Sequence, residues 1–347
     1  MAGYYFRGPL YVVWEITHKC NAQCVHCYSD AGPDAVSDEL STAEALDVID
    51  QLAEMGVMIL GFSGGEALLR PDWRELVEHA VRNSLRVTLG SNGLTLTPEV
   101  VHDIKRLGVH NVTVSLDGAN SHVHEKIRGR SGLFHAALEG IRRLISADIS
   151  VTVGFTPTAL NFRHGRQVVA LAEKLGVGKV NLSTYVPVGR GGLEIALNDS
   201  ELKWVLEEWI DMQGLYAGRI KVLWHDCRVS LLIEPGESAK YIGCGAGVVT
   251  CRITVDGKVT PCVTLLLPVG NLRQSSFRQI WNESELLWRI RNRENIVSGN
   301  CGQCEYKMTC GGCRAVSLAY YGNPYSGDRY CWIKRDNIPE NPGLSLT

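Results

Sequence analysis

The sequence predicts an α/β protein: an incomplete, TIM-like (β/α)6 barrel followed by a small cysteine-rich domain. Two observations predict it. From residue 11 to about 215, apolar strand-like runs alternate six times with amphipathic helical stretches, which implies a parallel sheet with helices outside. The twelve cysteines then split around that alternation. Three lie near the N-terminus, none falls between Cys27 and Cys227, and nine run from Cys227 to Cys331.

The strand-like runs are 11–17, 57–62, 85–90, 111–116, 149–155 and 179–186. Helical patterns occupy about 41–55, 71–83, 97–107, 132–146, 163–176 and 200–213. Capping residues open several of them: Ser41, Thr97 with Pro98 at the first helical position, and Asp199 or Ser200 before Glu201. Leu46, Ile49, Leu52 and Ala53 recur at helical spacing on one face. Six units without two more favour an open barrel; a doubly wound sheet is the alternative. In either case polar loops after the strands gather on one rim, where function concentrates. Residues 216–243 break the alternation and read as a bridge, 244–337 as the second domain, and 1–10 and 338–347 as tails.

Composition narrows the class. Hydrophobic residues make up 45% and charged residues 21% of 347, ordinary for a globular protein. A net charge of −2 gives no field for nucleic acid or anionic lipid, so neither is expected as a partner. No run approaches the roughly 18 apolar residues of a membrane span. The start, MAGYYFRGPL, lacks a secretory pattern, so the cytoplasm is the expected compartment. Grouped cysteines there bind metal or do redox work more often than they form disulfides.

Cys20, Cys24 and Cys27 stand at C-x-x-x-C-x-x-C directly after the first strand. Three thiolates can hold three irons of a [4Fe–4S] cube and leave the fourth open to another ligand. A zinc site completed by His18 or His26 is the plainer alternative. Gly64-Gly65-Glu66 follows the second strand; alone it is a tight turn with a solvated carboxylate. Glycine lets backbone approach closely, and a carboxylate suits an ammonium group.

Together these motifs resemble the radical S-adenosylmethionine (SAM) enzymes. The resemblance implies that SAM occupies the open iron through its amino and carboxylate groups. Gly64, Gly65 and Glu66 would hold the methionine amino group. His26 would pack near adenine. Ser91 and Asn92 in LGSNG, with Ser115 and Asp117 in VSLDG, would touch ribose and carboxylate, although turn chemistry alone also selects such residues. Arg128 resembles a family arginine near SAM; Asn161 and Arg190 follow later strands, where adenine and substrate would lie.

The later cysteines resemble the SPASM extension of radical SAM maturases: DGKVTPC, then C-x-x-C, Cys310, Cys313 and a distant Cys331. Where that family usually has three residues between the last close pair, this chain has only Gly311-Gly312. By matched position Cys244, Cys251, Cys262 and Cys313 would ligate one auxiliary cluster. Cys301, Cys304, Cys310 and Cys331 would ligate the other. That makes three [4Fe–4S] clusters. A zinc ribbon of Cys301, Cys304, Cys310 and Cys313 would leave four cysteines unused. Cys227 remains, either a buried small side chain or a hydrogen-atom donor to a substrate radical.

The implied activity is reductive cleavage of SAM to a 5′-deoxyadenosyl radical that abstracts a substrate hydrogen, with a flavodoxin or ferredoxin-type reductant. Closed auxiliary clusters suit electron removal, hence oxidative outcomes such as cross-linking, decarboxylation or dehydrogenation. The substrate expected first is a ribosomally made peptide. The alternative is a tetrapyrrole or other small molecule, whose carboxylates Arg128, Arg130, Arg163, Arg166 and Arg190 could meet. A non-catalytic iron–sulfur electron carrier is a third reading.

Overall fold

A computed structural model describes residues 7–333 except 35, 37, 234–242 and 293–296. The 338–347 tail and most of the 1–10 tail lie outside the described residues. Six strands lie side by side, parallel and in chain order: β1 (Tyr11–Glu15), β2 (Ile59–Ser63), β3 (Arg86–Ser91), β4 (Asn111–Ser115), β5 (Val151–Phe155) and β6 (Lys179–Ser183). Seven helices cover them: α1 (Thr42–Glu54), α2 (Trp73–Arg82), α3 (Pro98–Arg106), α4 (Ser121–Arg128), α5 (Leu133–Ser146), α6 (Gly165–Lys174) and α7 (Asp199–Leu215).

Two features go beyond the six units. A seventh parallel strand, β7 (Lys221–His225), pairs with β6 inside the stretch expected as a bridge. It is an edge strand with Val222 buried but Leu223 38% exposed, so its apolar signal is weak. On the other edge, β8 (Thr250–Ile253) pairs in parallel with β1, and β9 (Lys258–Thr260) and β10 (Gly270–Asn271) continue antiparallel. The cysteine-rich segment thus extends the same sheet. The order runs β10-β9-β8-β1 through β7 without closing, which leaves the barrel open.

The strands alternate with a purpose. Leu60, Phe62, Val87, Leu89, Val112, Val114, Val153, Phe155, Val180 and Leu182 are buried in one apolar core with the helices. The opposite face carries small or polar residues. A Cβ on Gly61 would meet the Tyr11 hydroxyl at 2.6 Å and Thr88 Oγ1 at 3.1 Å, and one on Gly154 would meet Thr113 at 3.3 Å. Gly, Ser and Thr on the concave side leave room that Leu and Val would fill in a closed barrel.

Local signals set the helix starts. Ser41 and Glu44 form a reciprocal capping box on α1, and Thr97 caps α3 with Pro98 following. For α7 the cap is Asn198, one residue earlier than Asp199, with Glu201 reaching back. Helix α4 is short and polar, so periodicity did not reveal it. Asn120 caps it and Gly129 ends it at φ 63°.

Candidate functional site

The loop Cys20 to Cys27 leaves the C-terminal end of β1 and is strapped from several sides. Gln23 N–H donates to Arg128 O at 3.2 Å and Val25 N–H to Ile127 O at 2.9 Å, so the end of α4 lies along it. Only glycine fits at 129, where a Cβ would sit 2.2 Å from Gln23 O. Arg190 clamps the opposite side: its backbone donates to Cys27 O at 2.9 Å, and its guanidinium to Asp30 Oδ1 (3.0 Å), Cys24 O (3.2 Å) and Ala31 O. This commitment corrects the expectation that Arg190 faces substrate.

The three thiols lie within electrostatic reach of one another. Burial pushes Cys20 up to about 11, and Glu66, Cys24 and Cys27 add to the shift. Each thiol is easier to deprotonate with cationic iron bound than without it. The histidines a zinc site would draw on point elsewhere: His18 Nε2 lies 3.3 Å from Ser29 O and His26 Nε2 3.4 Å from Asp117. Among the described residues no three His, Cys, Asp or Glu side chains converge on a single-ion position.

Gly64-Gly65-Glu66 is pinned to the same loop. Gly65 N–H donates to Thr17 O at 2.7 Å and Glu66 N–H to Lys19 O at 2.9 Å. A Cβ on Gly64 would meet Thr17 O at 2.3 Å, and one on Gly65 would meet Lys19 O at 2.3 Å. The glycines therefore let two loops touch. Glu66 is 1% exposed; burial raises its carboxyl against three hydrogen bonds. Oε1 accepts from Ser91 Oγ (2.8 Å) and Thr95 Oγ1 (3.0 Å), and Oε2 from Asn92 N–H (2.8 Å). A carboxylate has about four acceptor positions. The fourth fits the ammonium end of an amino acid, which is what SAM presents. Ser91 and Asn92, expected to touch ribose and carboxylate, both donate to Glu66; Thr95 was not anticipated, being an ordinary turn residue by sequence.

A second buried group sits beside Cys24. Arg128 Nη2 lies 2.6 Å from Asp117 Oδ2, and Arg128 Nη1 reaches Cys24 Sγ at 3.6 Å. Burial opposes the Asp117 charge, yet Arg128, then His26 and His124, hold its carboxyl below the usual range. Burial lowers His26 and His124 to about 4, so both rings are neutral near pH 7. Asp117 N–H donates to His124 Nδ1 at 3.1 Å, which sets that tautomer. Arg128 is thus no solvated arginine. Ser115, half-buried, ends β4 two residues before Asp117. Asn161 is 2% exposed and saturated: it donates to Asp117 O and Thr156 O and accepts from Thr158.

The other loop arginines are also engaged. Arg130 holds Asn21 O, Arg163 stacks over Phe162 and Trp204, and Arg166 pairs with Glu208. Sequence reading overlooked a further cation beside the cysteine loop. Arg252 on β8 pairs with Glu15 at 2.6 Å and sits 5.5 Å over the Tyr28 ring. Arg252, Tyr28, Ser29, Lys258 and Thr260 line an open groove of about 370 Å³ beside the cysteine loop.

Cys301, Cys304, Cys310 and Cys331 converge on one cavity, which Arg228 and Asp328 also line. The other expected set is not brought together whole. The Cys262 and Cys313 thiols lie within electrostatic reach of Cys244. Cys251 is fully buried in the apolar core, with Arg291 as its charged neighbour. Strand alternation explains the difference: on β8, Arg252 takes the Tyr28 side, so Cys251 faces the other way. Cys227 begins the turn after β7, and its thiol lies against that of Cys310.

An open parallel α/β barrel with three thiols and a buried carboxylate at its mouth defines a SAM-dependent iron–sulfur enzyme. The radical SAM superfamily model matches residues 14–175, and the model of the SPASM iron–sulfur cluster-binding domain matches 244–305. The AdoMet-dependent heme synthase of Methanosarcina barkeri is 34% identical over 94% of this chain and 97% of that protein. Mycofactocin maturase MftC of Mycolicibacterium smegmatis is 32% identical over 92% of this chain and 81% of that protein. The crystal structure of Streptococcus suis SuiB bound to S-adenosylmethionine shares the fold, with a TM-score of 0.79, 16% identity and coverage of 94% and 78%. The chain belongs to the radical SAM enzymes with a SPASM domain. That membership makes it an enzyme, implies iron–sulfur clusters and SAM, and removes the non-catalytic carrier reading. Among the described residues no helix is long and apolar enough to cross a membrane.

Proposed function

We propose that this enzyme oxidatively decarboxylates propionate side chains of a tetrapyrrole. The similarity to a heme synthase along 97% of that protein's length carries the reading. A 30% identity to the Fe-coproporphyrin III synthase of Methanosarcina barkeri supports the same substrate class. The groove beside Tyr28 offers Arg252 and Lys258 to a carboxylated ligand, although Glu15 and Asp256 already face them.

When bound, SAM and the reduced cluster supply a primary carbon radical that takes one hydrogen atom from the substrate. Cys20, Cys24 and Cys27 would hold that cluster, and Gly64-Gly65-Glu66 would receive the SAM ammonium. Ser115 would lie toward the ribose, Asp117 would act through its ion pair with Arg128, and His26 would pack at adenine in its neutral form. Each propionate that becomes a vinyl group gives up one hydrogen atom, carbon dioxide and one electron. Two auxiliary clusters, which with the SAM-binding one would make three, would supply an acceptor for that electron. A flavodoxin or ferredoxin-type protein supplies the reducing electron to SAM.

The reconstituted enzyme, incubated without oxygen with SAM, dithionite and a propionate-bearing iron porphyrin, should form vinyl product and 5′-deoxyadenosine. Unchanged porphyrin in the presence of SAM cleavage would sink this reading. The 32% identity to MftC supports a second one, modification of a ribosomally made peptide, which the same assay with a peptide substrate tests.

A further inference from the structure

We propose that Arg128 tunes the reduction potential of the SAM-binding cluster through Cys24, and that Asp117 limits the effect. The inference needs a cluster on Cys20, Cys24 and Cys27 but no particular substrate. Contacts at both ends fix the guanidinium against the sulfur. The end of α4 runs along the cysteine loop, with Gln23 N–H donating to Arg128 O at 3.2 Å and Val25 N–H to Ile127 O at 2.9 Å. Gly129 then turns away at φ 63°, where a Cβ would strike Gln23 O. At the far end Arg128 Nη2 lies 2.6 Å from Asp117 Oδ2, while Nη1 reaches Cys24 Sγ at 3.6 Å. Asp117 is held in turn. Its Oδ1 accepts Thr156 N–H at 2.9 Å, its own N–H donates to His124 Nδ1 at 3.1 Å, and Asn161 Nδ2 donates to its carbonyl at 2.9 Å. The Arg128 side chain is 12% exposed and that of Asp117 0%, so water screens neither charge well.

The thiols of the loop are therefore not equivalent. Cys27 Sγ meets a neutral partner, the Ser29 hydroxyl at 3.5 Å, whereas Cys24 Sγ meets a cation. Hydrogen bonds to ligating sulfur and nearby charge are two of the means by which a protein sets a cluster's potential. One-electron reduction adds negative charge to a cluster. A cation beside one of its thiolates stabilises the reduced form and raises the potential. The carboxylate 2.6 Å from that cation offsets part of its field. Asp117 thus holds the potential below the value Arg128 alone would set, which keeps the reduced cluster a strong reductant.

The test uses the full chain reconstituted without oxygen, as wild type, R128Q, R128K and D117N. Redox titration followed by electron paramagnetic resonance gives the midpoint of the cluster whose signal SAM perturbs. The titration itself contains no SAM, so any contact of Arg128 with bound SAM drops out. Iron content and circular dichroism follow loading and fold. R128Q should lower the midpoint by about 59 mV, a tenfold change in the one-electron equilibrium. D117N, which leaves the arginine charge uncompensated, should raise it. R128K, which keeps the charge, should lie nearer the wild type than R128Q does. Equal midpoints in all four proteins, or shifts of the same sign in R128Q and D117N, would overturn the proposal. If R128Q fails to fold or load iron, an unshifted D117N overturns it alone. A loss of SAM affinity with unmoved midpoints would also overturn it, leaving Arg128 a SAM contact only.

Discussion

The Arg128 guanidinium bridges the Asp117 carboxylate, 2.6 Å away, and the Cys24 sulfur, 3.6 Å away. One buried cation thus joins the end of α4, the loop after β4 and the cysteine loop. Asp117 is fully buried, so it depends on that cation for its charge.

Arg128→Ala should therefore cost about 3–5 kcal/mol, the usual penalty for orphaning a buried charge. The double variant with Asp117→Asn should recover part of that loss, because the two changes share one interaction. Chemical denaturation measures both. Additive losses would mean that the pair is not coupled.

Glu66→Gln should weaken SAM binding by about 10- to 100-fold, in line with about 1.5–3 kcal/mol for a hydrogen bond to a charged group. The amide also places donors where Ser91, Asn92 and Thr95 already donate. Equilibrium dialysis with the reduced, iron-loaded protein reads the affinity. Unchanged binding would remove Glu66 from the ammonium site.

Gly65→Ala should loosen the contact between the two loops by about 1–3 kcal/mol or more, since its Cβ would press on Lys19 O. Because that loop carries Cys20, cluster content after reconstitution should fall as well. Iron analysis beside a thermal melt distinguishes this from a purely ligand-facing role, which would leave both unchanged.

His124 should make the protein acid-sensitive. Its ring is lowered from 6.5 to about 4 in the fold, so the unfolded chain binds the proton first. The stability it contributes is complete above about pH 6.5 and is lost as pH falls toward 4. At pH 4.5 the loss amounts to about 2–3 kcal/mol, at about 1.4 kcal/mol per pKa unit. His124→Gln should flatten the difference in denaturation midpoint between pH 7 and pH 4.5. A variant with the wild-type slope would assign the acid sensitivity elsewhere.

Much of the architecture was legible because parallel strands and their helices announce themselves by periodicity. The runs at β1 to β6 and the caps at Ser41 and Thr97 are local signals. β7 was not legible, since an edge strand buries little and KVLWH has no run of alternating apolar residues. α4 was hidden by its polarity. The cysteine loop was readable from its spacing, and Gly64-Gly65-Glu66 only beside it, through the family resemblance.

The sequence by itself determined which chemistry the chain can carry: three thiols at one spacing, a glycine pair before a glutamate, and a crowd of later cysteines. These are properties of adjacent residues. Which side chains act together was decided by the tertiary structure. Arg128 meets Cys24 across 104 residues of sequence, and Arg190 reaches Cys24 O across 166. The direction of Cys251 depends on strand register against β1, since a one-residue step on a strand turns a side chain to the opposite face.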